Sequence, residues 1–368
     1  MTRDVKPPRR VGPDLQYGGR TIPIFRLTAL AGAAVAVSLA VWESSRLGAS
    51  SLVELGLCVG AILTFLTLVF VTKAITAREM LIYYHHEIAV LAVTATACLA
   101  LGLAAPGSYL DATALGLGAC LAIGRLGCVV AGCCHGRPGK RGLVYDERYT
   151  THLPPWLVGV KLVPVQAIES ALVALIVAVG LVVVADPHVP GAAFVFYVDA
   201  YAVVRFGLEE LRGDSSRRFA RGLSEAQWLS LTLVLGMALL GLAGVTPGGA
   251  VTLVAPALIG TAAVVVARRA RRGDGDVLHP RHAREVASLA RRQGRTPSPG
   301  ATSLGVLVSR GEVERAEHWS LSRRRRALSE REATILAEQL VAIRRPNGPS
   351  PQVVRGVAGV FHVLIPRA

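Results

Sequence analysis

GRLGCVVAGCCHGRP, Gly124–Pro138, is the stretch on which the fold turns. It leaves an apolar run, Leu115–Ile123, and passes into a polar loop, as the end of a membrane helix does. Two arginines, three cysteines, a histidine and four glycines fall within it. Arg125 is the informative residue. At the centre of the hydrocarbon an arginine costs about 2.5–3.5 kcal/mol on insertion scales, and towards the edge it snorkels or finds a partner. The glycines allow close approach of backbone or ligand.

Outward from this stretch the chain is apolar. Of 368 residues, 52% are hydrophobic, a polytopic membrane composition that argues against a soluble enzyme. The net charge of +15 sits in loops and tails between apolar runs. It therefore reads as contact with anionic headgroups and not with nucleic acid. Cys58, Cys98 and Cys120 fall inside apolar runs and behave as small hydrophobes, so the six cysteines make no disulfide framework. Residues 1–20 are polar and basic, and the first apolar run has no small-residue exit, so a retained first span is expected in place of a cleaved signal.

Eight apolar segments follow, at about 24–42, 52–72, 80–104, 112–130, 165–185, 191–211, 226–244 and 249–267. The expected fold class is all-α: a polytopic membrane helical bundle of 7–8 transmembrane helices with a small α+β C-terminal soluble module. The expected divisions are a disordered basic tail (1–22), a membrane domain (23–268), a linker (269–300) and the module (301–368). In the module, Ser329 and Glu332 form a capping-box pattern and Phe361, Val363 and Ile365 alternate as in a strand. His318 and His362 read as structural or solvated residues.

Polar groups inside the apolar segments mark the candidate site. In FVFYVDAYAVVRFGLEELRGD, residues Tyr197, Tyr201, Arg205, Glu209 and Arg212 step by four, four, four and three, and so share one helix face. Such a stripe must face protein or water. It reads either as an intramembrane salt bridge or as an anion site, because guanidinium forks suit phosphate. Gln166 and Glu169 are near one another at the start of the fifth segment, and Glu169 is a candidate partner for Arg125. Of the adjacent His85 and His86, one at most faces a cavity, and histidine suits proton transfer near neutral pH. Cys128, Cys133, Cys134 and His135 follow no usual zinc spacing and read as small packing residues in a tight loop, so neither a metal nor an organic cofactor is expected.

Four of these runs, in order, resemble the prolipoprotein diacylglyceryl transferases over roughly residues 80–245. The family's G-R-x-G-N-x-x-N-G-E-x-x-G-R run corresponds to Gly124-Arg125-Leu126-Gly127-Cys128, Ala131-Gly132-Cys133 and Gly136-Arg137. Its P-x-Q-x-x-E run corresponds to Pro164, Gln166 and Glu169, its R-x-x-x-E-x-x-R run to Arg205, Glu209 and Arg212, and its L-S-x-x-Q run to Leu223, Ser224 and Gln227. The family's histidine falls on His85, although the following glycines are His86 and Glu87 here. Cys128 and Ala131 replace the family's asparagines and Cys133 its acidic residue.

The resemblance implies a multi-pass enzyme of the bacterial plasma (inner) membrane. Its partners would be phosphatidylglycerol and the lipobox cysteine of a lipoprotein precursor. It implies Arg125, Arg205 and Glu209 as catalytic groups, His85 as general base, and Arg137, Gln166, Glu169, Tyr201 and Arg212 as substrate-binding groups. The alternative from another class is a protein that binds or transports phospholipid with the same arginines.

Overall fold

The computed structural model describes residues 13–17, 20–76, 83–149, 153, 157–185, 189–213, 219–248, 253–272, 277–292, 300–313, 316–323, 327–344 and 349–366. A hairpin, β1 (Asp14–Tyr17) and β2 (Arg20–Pro23), leads into α1 (Ile24–Arg46). Helices α2 (Ser51–Thr76), α3 (Tyr83–Ala100) and α4 (Pro106–Ala131) follow. A pair of short strands, β3 (Pro138–Val144) and β4 (Lys161–Leu162), separates α4 from α5 (Val165–Val183) and α6 (Ala192–Leu208). Strands β5 (Phe219–Ala220) and β6 (Leu223–Ser224) lead to α7 (Glu225–Leu242) and α8 (Val254–Arg272).

Five of these helices, α1, α2, α4, α5 and α7, are long and apolar enough to cross a membrane. Large apolar side chains such as Leu30, Leu52, Phe70, Leu175 and Leu239 are exposed on them, as a lipid-facing surface requires. The more deeply buried helix is α4, packed by α1, α3, α5 and α6. Its sequence explains this position. Pro106 starts it at a place where a missing N–H costs nothing, and small residues line its length. A Cβ at Gly116 would come within 2.7 Å of the Ala36 carbonyl oxygen, so α1 and α4 approach through this glycine. Gly132, at φ 71°, ends the helix.

Asp111 of α4 is fully buried and caps α6 from outside. The Gly191 and Phe194 N–H groups donate to its two carboxylate oxygens, each at 2.7 Å. The first N–H groups of a helix have no partner within the helix, and a carboxylate supplies one. At α7 the cap is local: the Gln227 N–H donates to Ser224 Oγ and the Ser224 N–H to Gln227 Oε1.

The C-terminal region is β-rich. Strands β7 (Gly300–Ala301), β8 (Val306–Val313), β9 (Ala316–Arg323), β10 (Gln352–Arg355) and β11 (Phe361–Pro366) form an antiparallel sheet in the order β10-β11-β9-β8-β7. Helices α9 (Pro280–Arg292) and α10 (Glu330–Arg344) supply the rest of its core, around fully buried Trp319. The expected capping box at Ser329 and Glu332 is present, and β11 buries alternate residues from Phe361 to Ile365.

Two sequence expectations are corrected. The expected basic tail covers 1–22, but residues 14–17 and 20–23 form the antiparallel β1–β2 pair, in which Leu15 pairs with Ile22. Residues 1–12 lie outside the described residues. The linker expected over 269–300 contains α9, whose Ala283, Val286, Ala287 and Ala290 recur at helical spacing and are buried in the module core.

Candidate active site

The stripe on α6 turns inward. Tyr197, Tyr201 and Arg205 are all buried, and the two tyrosine rings stack with centroids 6.1 Å apart. The helix ends at Leu208, and the following turn keeps Glu209 beside Arg205, with Arg205 Nη2 2.8 Å from Glu209 Oε1. Arg212 Nε is 4.0 Å from the same oxygen. One buried carboxylate thus stands between two guanidiniums.

Arg125 enters from the last turns of α4. Its Nη2 donates to Glu169 Oε1 at 3.0 Å, and its Nε is 2.9 Å from Glu169 Oε2. Only the first contact has hydrogen-bond geometry. Tyr201 Oη donates to Glu169 Oε1 at 2.9 Å, which ties α4, α5 and α6 together at one carboxylate. Glu169 is 1% exposed, and such a charge is tolerated because each oxygen meets a cation or a donor. Arg205 differs from Arg125. It is 6% exposed, yet its Nε and Nη1 donate to no group among the described residues. Tyr84 of α3 lies beneath it, with Arg205 Cζ 6.0 Å from the ring centroid and Tyr84 Oη bonded to Ser230 Oγ at 2.9 Å.

The loop after α4 is laced to these helices by main-chain bonds. The Arg137 N–H donates to the Leu211 carbonyl and the Gly213 N–H to the His135 carbonyl, while Gly136 and Arg212 form an isolated antiparallel bridge. The Val163 N–H donates to the Arg137 carbonyl. Gln166 Nε2 donates to the Cys133 carbonyl at 2.7 Å. Arg212, buried like Arg125 and Arg205, is thereby held against the loop.

Cys128, Cys133 and Cys134 converge, with their sulfurs all within 4.8 Å of one another. Hydrogen bonds from the Cys128 and Cys133 thiols, followed by the Arg212 and Arg125 charges, hold the partly buried Cys134 thiol well below the usual range, against the opposing effect of desolvation. Hydrogen bonding to Cys128 and to Cys134, followed by burial, pushes the Cys133 thiol up. Tyr145, behind the loop, is pushed up to about 12, chiefly by burial.

Of the residues singled out in the sequence, the structure gathers Arg125, Glu169, Tyr201, Arg205, Glu209 and Arg212, with Gln166 and Arg137 fixing the loop beside them. His85 stands apart. Its side chain is 41% exposed, with Nε2 3.5 Å from Glu225 Oε1, whereas the neighbouring His86 is buried with its ring 4.8 Å from Phe65. Glu87 of α3 was read only as a departure from the family pattern. It is buried and accepts a short hydrogen bond from Tyr197 Oη. Its signal was available: Tyr84, Glu87, Leu91, Thr94 and Cys98 recur at helical spacing along the buried face of α3. Gln227 was quoted as a motif residue. Its side chain holds the turn after α6, bonding Glu210 Oε1 at 3.0 Å.

The model of the prolipoprotein diacylglyceryl transferase family matches residues 15–243. The phosphatidylglycerol–prolipoprotein diacylglyceryl transferase of Dehalococcoides mccartyi strain 195 is 33% identical over 128 residues, 35% of this chain and 48% of that protein. The protein of the same name from strain CBDB1 is 32% identical over 130 residues, with the same coverage. The chain thus spans about half the length of the curated relatives it matches. No solved structure matches it. The family match takes in more than half of the chain, its five membrane-length helices and every charged group of the site, and the chain belongs to the prolipoprotein diacylglyceryl transferase family.

Proposed function

We propose that this protein transfers diacylglyceryl from phosphatidylglycerol to the cysteine thiol of a lipoprotein precursor. It would work as a multi-pass protein of the bacterial inner membrane, with α3, α6 and α8 completing seven or eight spans. The observation that carries the reading is the pair of buried guanidiniums, one ion-paired with Glu169 through both carboxylate oxygens and one with two N–H groups that have no partner among the described residues. Arg125 is held in place by Glu169, whereas Arg205 keeps Nε and Nη1 for an acceptor. A phosphate oxygen satisfies those donors, and a fixed arginine fork recognises phosphate in two-pronged fashion.

In the reaction, the thiolate sulfur attacks the glyceryl carbon that bears the phosphate ester oxygen. The C–S bond forms as that C–O bond breaks, and glycerol phosphate leaves with the electron pair. Arg205, Arg125 and Arg212 stabilise the negative charge that develops on the leaving oxygen. Glu169 and Glu209 hold the guanidiniums in register, so little reorganisation is needed as charge moves. Tyr201 fixes Glu169, while Gln166 and Arg137 hold the loop that closes the site. His85, paired with Glu225 at the half-exposed start of α3, is the base that takes the thiol proton in this reading.

The test is transfer from labelled phosphatidylglycerol to a lipobox-cysteine peptide by the purified protein. Thioether product that disappears in Arg205→Ala, at unchanged protein abundance, is the expected result. Full transfer by Arg205→Ala would overturn the proposal. Retained phosphatidylglycerol binding without product in the unaltered protein would instead point to a binding or transport protein.

A further inference from the structure

The family resemblance explains the arginines but not the cysteines, since all three stand where the family pattern has other residues or none. Cys128 is buried on the last turn of α4, Cys133 follows the left-handed Gly132, and Cys134 itself has φ 52°. A non-glycine residue adopts that backbone only where its surroundings hold it there. Here the conformation lets two adjacent cysteines both reach Cys128, so that the three sulfurs lie within 4.8 Å of one another. We propose that Cys128, Cys133 and Cys134 form a three-sulfur site for a thiophilic d10 metal ion, Zn(II) or Cu(I).

The dimensions fit. Metal–sulfur bonds of about 2.3 Å place three sulfurs about 4.0 Å apart around a trigonal ion, within the 4.8 Å limit that holds for all three sulfurs here. The donor set is all sulfur, which selects Cu(I) and Zn(II) over hard cations. Three thiolates around either ion leave a net negative charge. Arg125 and Arg212 are close enough to interact with Cys134 electrostatically and supply the compensating positive charge. The frame is built before any ion arrives. Gln166 holds the Cys133 carbonyl at 2.7 Å, and the main-chain bonds to Leu211 and Gly213 fix the loop just beyond Cys134. Cys133 and Cys134 are only partly buried, which gives an ion a route in. This inference stands on the sulfur geometry and is independent of the transfer reaction.

Titration of the reduced full-length protein in detergent with Cd(II) tests it, read by thiolate-to-metal charge-transfer absorption. One Cd(II) per chain is expected. The band should vanish in Cys128→Ser, Cys133→Ser and Cys134→Ser and persist in Cys58→Ser and Cys98→Ser. Competition by Zn(II) and by Cu(I) then ranks the two ions. A band that survives all three substitutions overturns the proposal. So does a protein that takes up no Cd(II) although its thiols are reduced. If a serine variant fails to fold, N-ethylmaleimide labelling of the unaltered protein decides. Joint protection of the three cysteines by Cd(II) supports the site, and unchanged labelling overturns it.

Discussion

Glu169 of α5 holds Arg125 of α4 through both carboxylate oxygens, at 2.9 and 3.0 Å, deep in the helical bundle. Removing one member of a buried pair strands the other, at a cost of about 3–5 kcal/mol, whereas removing both costs far less. Glu169→Ala is therefore expected to lower the thermal stability of the detergent-solubilised protein strongly. The double change Arg125→Leu with Glu169→Leu should recover most of that stability and none of the transfer activity. Equal stability of the single and double variants would show that the pair is not coupled as described.

Arg205 keeps its Nε and Nη1 groups without a partner among the described residues, so its contribution is directional as well as electrostatic. Arg205→Lys keeps the charge but not the fork. Both Arg205→Lys and Arg205→Ala are expected to lose on the order of a hundredfold in transfer rate, by analogy with loss of a transition-state donor. Near-normal turnover by the lysine variant would reduce the role of Arg205 to that of a point charge.

Asp111 is remote in sequence from every family motif quoted above, yet it closes the start of α6. Asp111→Ala leaves two helix N–H groups without their acceptor, a loss of about 1–3 kcal/mol for each if they stay buried. Thermal unfolding in detergent should register it, with Asp111→Asn milder because it keeps an acceptor oxygen. An unchanged midpoint in the alanine variant would mean that another group caps α6.

In the C-terminal module His318 and His362 share a hydrogen bond of 3.0 Å between their rings, which requires at least one neutral imidazole. Burial, with the neighbouring His362, holds His318 below its usual value of 6.5. The unfolded chain therefore binds the proton more readily. The stability contributed by the neutral ring is fully present above pH 6.5 and is lost as the pH falls through the lower folded value. Hydrogen exchange of β9 and β11, corrected for intrinsic rate, should speed up from pH 7.5 to pH 5.5, and less so in His318→Asn.

The charged stripe was legible in the sequence because a helix converts steps of four and three into one face, and a membrane forbids such a face to lipid. Tyr201, Arg205 and Glu209 needed nothing more. The Glu169–Arg125 pair was legible as a candidate for the same reason. Asp111 was not: a lone carboxylate five residues after Pro106 looks like ordinary decoration near a helix start, and its partners are backbone groups 80 and 83 residues away. Glu87 was hidden in the polar run from Tyr83, where an interfacial helix start looks the same as a buried network. Helix α9 was hidden by its many arginines, which mask an apolar face made mostly of alanine and valine. The gathering of the three cysteines depends on the left-handed turn at Gly132 and Cys134, and ligand spacing along the chain does not reveal it.

The lacing of residues 135–137 to residues 163 and 211–213 has a consequence for biogenesis. A nascent chain that has delivered only α4 has its Arg125 in the bilayer with no partner, an expensive passenger for the insertion machinery. Synthesis of α5 brings Glu169 and relieves that expense, but the loop still lacks Leu211 and Gly213. Only after α6 emerges can the loop close and Arg205 join Arg125. A chain arrested after α5 is therefore expected to integrate into the membrane yet bind no phosphatidylglycerol.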